Sequence, residues 1–548
     1  MLVFITMRIS PAAILLLATL LPSAIFAQSP GLRERWIYCS KNLLVDSQVD
    51  ELESIFTRAS KAGYNGIVLS DSKFGRLEDM DKRYFQNVER VKKSAADNHL
   101  QIIPCLFPVG YSDSILSRDP NLAEGLPVRD AAFVVENGVA RILPDPAVAL
   151  NDFKKLSAWS FHDDNITTQD GAATVTNPGG HNARISQKVK VHPFRQYHIS
   201  MMVKTDSFEG EPRIAVLDKS GHDLNYAKLG AKKTQGWTMH HVVFNSLDNS
   251  ELTIYFGCWD GKTGSLAWKD PKLEETAMVN LIRRNGAPLE VKLENGQALT
   301  EEKDFKKVTD PRMGTVPWKG GYEVWHEPPV IHTSMPDGTR LRVSCYNTVT
   351  VYDSQVMICP SEPKTMELLR DQAKRMHAAW GAKGYFMSHD EIRVMNWDKS
   401  CQDRHLTPGA ILAENVHACA RILREVNPGG DIYVWSDMFD PKHNAHKDYY
   451  LVNGDLEGSW LGLDKDVIVV PWDFEERDEA LKWFAGLGNR MIIAGYYDSN
   501  PDNVKKWVES ANHVKGVTGI MYTTWEDRYG DLEKFSAAIG NTPPAPAH

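Results

Sequence analysis

Apolar and polar positions alternate along this chain in two different ways, and the change between them divides it. Near the start, apolar runs at 36–39, 64–69 and 100–107 are separated by segments at 49–62 and 85–98 with helical spacing. Uninterrupted apolar runs read as strands buried on both faces, and the spacing between them reads as amphipathic helix. The same order returns later, with helical segments at 363–380 and 408–426, the second stopping at Asn427-Pro-Gly-Gly. Apolar runs follow at 384–388, 432–435, 467–471, 491–494 and 519–523, the first of them just ahead of the second helix. Three strands before a long interruption and five after it make eight, the number that closes a β/α barrel.

Inside the interruption, from about 151 to 275, the helical period disappears. Alternating runs at 183–191, 197–204, 237–244 and 252–256 are spaced by Gly, Asn and Asp turns, the pattern of an antiparallel sandwich. A mixed stretch follows, with Glu327-Pro-Pro329 and a run at 341–346, and reads as a lid or small sheet near the barrel mouth. The predicted fold is α/β: a (β/α)8 TIM barrel with an inserted all-β sandwich of jelly-roll type. Residues 28–150 would carry barrel strands one to three, 151–277 the sandwich and 278–353 the small β region. Residues 354–548 would carry strands four to eight and the active site. Residues 1–27 read as an export signal, with Arg8, an apolar run at 14–21 and Ala24-Ile-Phe-Ala27 before Gln28. That run is too short to span a bilayer, so a secreted or periplasmic protein without membrane attachment after cleavage is expected.

Composition narrows the function. At 548 residues the chain exceeds one core, and a net charge of -9 without a basic stripe argues against nucleic-acid binding. The 15 Trp suit a cleft for sugar rings, whose apolar faces stack on indole. Seven cysteines (39, 105, 258, 345, 359, 401 and 419) lack CxxC spacing and form neither a zinc framework nor a dense disulfide scaffold. Cys39 and Cys105 fall in predicted strands as small buried hydrophobes, and pairing of Cys359 with Cys401 stays open. His443 and His446 lack a third ligand and read as loop residues. No metal in the active site and no cofactor are expected.

The ends of the late strands carry the chemistry. The run from Gly384 ends in Ser388-His389-Asp390-Glu391-Ile-Arg393, and adjacent carboxylates push each other's pKa apart, as an acid and its ionised neighbour require. The next strands end in Trp435-Ser-Asp437, Trp472-Asp473, Tyr496-Tyr497-Asp498 and Trp525-Glu526-Asp527. On a barrel these ends converge on one face, so aromatic walls and acids from distant sequence would line one pocket.

These residues resemble the β-N-acetylhexosaminidases of glycoside hydrolase family 20 and the β-N-acetylgalactosaminidases of similar barrel. The resemblance lies in an Asp-Glu pair on strand four, Trp on strands five, six and eight, and Tyr-Asp on strand seven. It departs from the family at Ser388-His389, where Gly-Gly is usual, and at Trp525-Glu526, which are adjacent. Arg76 and Arg118 are the candidates for the family's sugar-gripping arginine. The resemblance implies substrate-assisted hydrolysis of a terminal β-linked N-acetylhexosamine in a glycan, through an oxazolinium intermediate. Glu391 would be the acid and base, and Asp390 would orient the 2-acetamido group. Tyr496 or Tyr497 would bond the acetamido oxygen. Trp435, Trp472 and Trp525 would box the ring, with His389, Arg393, Asp437, Asp473, Asp498 and Glu526 binding around it. Carbohydrate-binding modules resemble the sandwich; Trp259 or Trp268 would stack on glycan there, and Asp270 would help hold a structural calcium. Two other readings compete: a retaining glycosidase with Asp498 or Glu526 as nucleophile, and a non-catalytic glycan-binding protein.

Overall fold

The computed structural model describes residues 31–540, apart from residue 353 and the side chains of residues 226 and 227. The export signal expected at 1–27 lies outside the described residues. Eight parallel strands close in chain order into a barrel. They are β1 (Glu34–Ser40), β2 (Gly66–Ser70), β3 (Gln101–Leu106), β4 (Gly384–Met387), β5 (Asp431–Trp435), β6 (Ile468–Val470), β7 (Met491–Ala494) and β8 (Val517–Tyr522). Closure runs through β1 and β8, with Ile37 opposite Tyr522. Helices α1 (Asp46–Lys61), α2 (Lys82–Asp97), α3 (Pro363–Trp380), α4 (Pro408–Val426), α5 (Arg477–Leu487), α6 (Val504–Ala511) and α7 (Leu532–Ile539) lie in the segments between and after the strands.

Strand alternation sorts the barrel's two sides. Trp36, Tyr38, Val68, Ile103, Phe386, Tyr433, Trp435 and Ile492 fill the interior, whereas Ile37, Ile67, Leu69, Val434 and Ile493 join the core shared with the helices. Trp36 fits because its strand neighbour is Gly66, where a Cβ would stand 2.4 Å from the indole. Helix α4 starts where the sequence dictates: Pro408 opens it and the Thr407 hydroxyl accepts the Ala410 N–H.

The inserted region forms two five-stranded antiparallel sheets built from strands between Phe161 and Thr276. Ile185, Ile199, Val203, Ile254, Phe256 and Trp268 are buried among its core residues. Trp268 is therefore a core residue and not a sugar platform, while Trp259 is half-buried beside Tyr255. Asp270 is exposed and belongs to neither of the two clusters of potential cation ligands among the described residues.

The stretch after the sandwich completes a six-stranded sheet that also takes in residues 126–142, which the sequence assigned to the barrel's first part. Leu126–Glu136 turns back through Asn137 and Gly138, both left-handed, and pairs with Val139–Ile142. Its other edge pairs with Arg340–Asn347, setting Phe133 opposite Leu341 and Ala131 opposite Val343 over one apolar core. Among the described residues, no helix is long and apolar enough to cross a membrane.

Candidate active site

The carboxyl ends of the barrel strands open into one cavity of about 770 Å³. Asp390, Glu391, Arg393, Trp435, Trp472, Tyr497, Asp498, Trp525 and Glu526 all line it. Alternation along β4 explains the first two: Phe386, Ser388 and Asp390 face inward, while Met387 and His389 face the helices. His389 is fully buried and bonds Asn415 of α4 at 3.1 Å, so it is a structural residue and not a sugar ligand. Glu391, four residues past the end of the strand, adopts a left-handed backbone with φ of 50°, a turn that lets two consecutive acids reach the same cavity.

That turn is held from behind. Asp437, fully buried, accepts the Glu391 N–H at 2.8 Å, the Asn444 amide at 2.9 Å and the Trp472 indole N–H at 3.3 Å. It braces the acid-bearing loop and one indole, and it does not line the cavity. Gln355 donates to the Glu391 carbonyl at 2.8 Å and accepts from Arg393 at 2.6 Å. Gly110 passes under the same loop, where a Cβ would lie 2.0 Å from the Asp390 carbonyl oxygen. Gly110→Ala must therefore shift residues 390 and 391. We expect about a hundredfold loss of kcat/KM, the scale of a misplaced reacting group, with a lowered Tm. Steady-state kinetics and thermal melts check it, and an unchanged kcat/KM would mean the loop gives way harmlessly.

The Glu391 carboxylate is engaged on both oxygens. Arg393 pairs with it at 2.8 Å, and the Tyr111 hydroxyl donates to its other oxygen. Arg393 is itself stacked over Tyr352 and Tyr450, at 4.5 and 5.0 Å from the ring centres. Asp390 has no comparable cation. Burial first, then the charges of Asp437 and Glu391, push its carboxyl well above the usual range. Asp437 is raised as well, again chiefly by burial. The sequence reading kept Asp390 ionised; in the free protein its surroundings favour the proton instead.

Aromatic residues build the walls. Trp435 forms the floor, with ring centres 4.7 Å from Phe386, 5.8 Å from Tyr38 and 5.5 Å from Trp525. Trp472 stacks on Tyr497 at 5.5 Å and 8°. Tyr497 is 46% exposed, and partial burial and the Glu391 charge push its hydroxyl up to about 12, so it stays a donor at neutral pH. Tyr496 points elsewhere. It is 4% exposed, stacks on Tyr522 at 4.1 Å and donates to Asp531 at 3.1 Å. Asp473 also stays out of the cavity and accepts the Glu475 N–H at 2.9 Å.

Asp498 reaches the cavity, yet its oxygens are occupied by the Thr524 hydroxyl and the Trp525 N–H, the latter at 2.6 Å. Glu526 is exposed and pairs with Arg528. Neither sugar-gripping arginine candidate lines the cavity: Arg118 bridges Glu78 and Asp371, and Arg76 donates to the Lys319 carbonyl. The sequence reading missed Tyr38, Asp71, Tyr111, Asp113 and Tyr352, all in the cavity wall. Tyr38 was visible as the inward partner of Trp36 two residues earlier; Tyr111 and Tyr352 sit on loops without a periodic signal.

No protein-family model matches the chain, and no curated protein does. Among solved structures, one described as a family 4 carbohydrate-binding module is similar at 18% identity over 21% of this chain and 78% of its own (TM-score 0.17). A chitobiase from Flavobacterium johnsoniae is similar over 93% of this chain and 48% of its own, at 9% identity and a TM-score of 0.39. A glycoside hydrolase family 20 β-N-acetylglucosaminidase is similar over 93% of this chain and 70% of its own, at 9% identity and a TM-score of 0.38. The chain thus spans about half the length of the chitobiase, and at these identities its chemistry has to be read from its own pocket.

Proposed function

We propose that this protein is a glycoside hydrolase that removes terminal β-linked N-acetylhexosamine from a glycan by a substrate-assisted, retaining mechanism. One observation carries the reading: adjacent acids at the end of β4 share a cavity with an aromatic box of Trp435, Trp472, Tyr497 and Trp525. In the reactive complex the site's proton sits on Glu391 and not on Asp390: the acetamido oxygen attacks the anomeric carbon, the glycosidic bond breaks, and Glu391 gives that proton to the leaving oxygen. The glycosidic oxygen takes the place of the Tyr111 hydroxyl at Glu391. Asp390 accepts the acetamido N–H and balances the positive oxazolinium. In the second step Glu391 takes a proton from water, which adds to the anomeric carbon and opens the ring.

Tyr497 is the donor to the acetamido oxygen, since its hydroxyl is cavity-facing. Tyr497→Phe should lower kcat/KM about ten- to a hundredfold, the worth of a hydrogen bond to developing charge. Tyr496→Phe should leave kcat within about twofold and cost only a modest buried hydrogen bond. The reverse pattern in steady-state kinetics would exchange the two tyrosines' roles.

An enzyme nucleophile is disfavoured because Asp498 is spent on the Thr524 hydroxyl and the Trp525 N–H, and Glu526 pairs with Arg528. The test is a panel of nitrophenyl N-acetylhexosaminides and plain hexosides. Turnover confined to 2-acetamido sugars, with inhibition by a thiazoline analogue, is expected. Equal turnover of plain hexosides would remove the substrate-assisted mechanism, and no turnover of either would leave a binding protein.

A further inference from the structure

Away from the pocket, four acidic side chains meet in a fully enclosed spot: Glu124, Cys359, Asp398 and Cys401. All are at most 1% exposed, and one potential ligand atom from each lies within 4.8 Å of the others. The Sγ atoms of Cys359 and Cys401 are 3.6 Å apart. Cys359 Sγ is 3.6 Å from Asp398 Oδ1, and Cys401 Sγ is 3.6 Å from Glu124 Oε2. Tetrahedral zinc with sulfur at about 2.3 Å and oxygen at about 2.0–2.2 Å has donor-to-donor edges of about 3.5–3.8 Å. Three of the six edges of the cluster, joined through the two sulfur atoms, already have that length.

The surroundings orient the donors from outside. Glu124 Oε1 accepts the N–H groups of Trp397 and Asp398 at 2.9 and 3.3 Å, which turns Oε2 inward. Asp398 Oδ2 is held by Arg284 at 2.6 Å, which turns Oδ1 inward, and Arg284 is fixed in turn by Glu362 at 3.0 Å. Glu124 is thus anchored by one oxygen and offers the other, while Asp398 Oδ1, which also accepts the Cys401 N–H at 3.1 Å, keeps its second lone pair for the centre of the cluster. A disulfide between the two cysteines would have no proton to give Glu124 Oε2 or Asp398 Oδ1.

We propose that Glu124, Cys359, Asp398 and Cys401 bind one borderline-soft divalent cation of the zinc class, as a structural site. Binding would displace both thiol protons to solvent and leave two thiolates and two carboxylates facing the cation. The site has a purpose in the fold. Asp398 and Cys401 follow directly on the loop bearing Glu391 and Arg393, and the cation would fasten that loop to Cys359, just before α3, and to Glu124. Sequence spacing hides it, because the ligands come from three distant segments and share only Asp398-x-x-Cys401.

The test uses the full chain. Protein stripped with a chelator under reducing conditions is titrated with zinc alone and, separately, with cobalt(II). We expect uptake of about one equivalent, a thiolate-to-cobalt charge-transfer band, and a Tm raised by several degrees on zinc return. Cys359→Ser with Cys401→Ser should lose the band and the Tm shift. If that variant does not fold, the wild-type stoichiometry and spectrum still decide. Intact mass two hydrogens below the all-thiol value in the protein as purified, with no metal, would replace the site by a disulfide. Free thiols that take up neither ion would equally overturn it.

Discussion

Glu391→Gln is expected to lower kcat/KM on a 2-acetamido aryl glycoside by about two to four decades, the range of a positioned general acid and base. The amide keeps the shape of the side chain, so folding should survive. Some stability should be lost, since the amide removes the counter-charge of Arg393, which is buried and pairs with Glu391 at 2.8 Å. The loss should depend on the leaving group. A dinitrophenolate departs without a proton, so bond cleavage for that substrate should suffer less than for a poor leaving group. Water still needs a base in the second step, so product should appear as a burst followed by slow turnover. Rapid-mixing kinetics on the two substrates separates the steps. Turnover near wild type on a poor leaving group would remove Glu391 from the reaction. An equal loss on both substrates, with no burst, would give it a purely structural part.

Much of this was legible before any coordinates, and the failures have physical causes. Alternation along β4 sorts its residues by side, and the rule still holds past the strand's end at Met387, where it separates Asp390 from His389. The same rule misleads on β7. Ile492 and Ala494 face inward, which by parity would send Tyr496 after them. The strand ends at Ala494, however, and Tyr497 and Asp498 both adopt φ of 52°. The extended conformation is broken there, so Tyr496 stacks on Tyr522 beneath α7 and Tyr497 takes the pocket side. The strand at residues 126–136 was misassigned for a different reason. Its Asn137-Gly138 turn is a strong hairpin signal, but its longest partner, Arg340–Asn347, lies two hundred residues away. Nothing local announces a pairing across an inserted domain. Tyr111 and Gln355 were invisible because loop residues have no period; only the closed barrel brings them beside Glu391.

Asp390→Asn should cut kcat/KM by about two to three decades, the worth of a preorganised group facing developing charge, and yet make the protein more stable near neutral pH. The two effects share a cause. Asp390 faces Asp437 and Glu391, with Arg393 the nearby cation already committed to Glu391, so ionising it is costly. Its folded pKa lies above the ordinary carboxylate value of 3.8, which means the native state holds a proton that the unfolded chain has released. Stability then falls as pH rises from about 4 through the raised pKa, because the unfolded state binds fewer protons over that window. The amide cannot ionise and escapes this loss. Melting wild type and variant from pH 4 to pH 9 should give curves that coincide at the acid end and diverge upward in favour of the variant. Activity should follow the opposite sense in wild type. The oxazolinium needs the anion, so kcat/KM should rise with pH as free Asp390 ionises. In kcat the same limb should move to lower pH, since the acetamido N–H and the incipient cation favour the anion once substrate is bound. Were the variant less stable than wild type at pH 8, or the acid limb of kcat/KM unmoved by the substitution, Asp390 would be a structural acid, and the charge that answers the oxazolinium would have to come from elsewhere in the cavity.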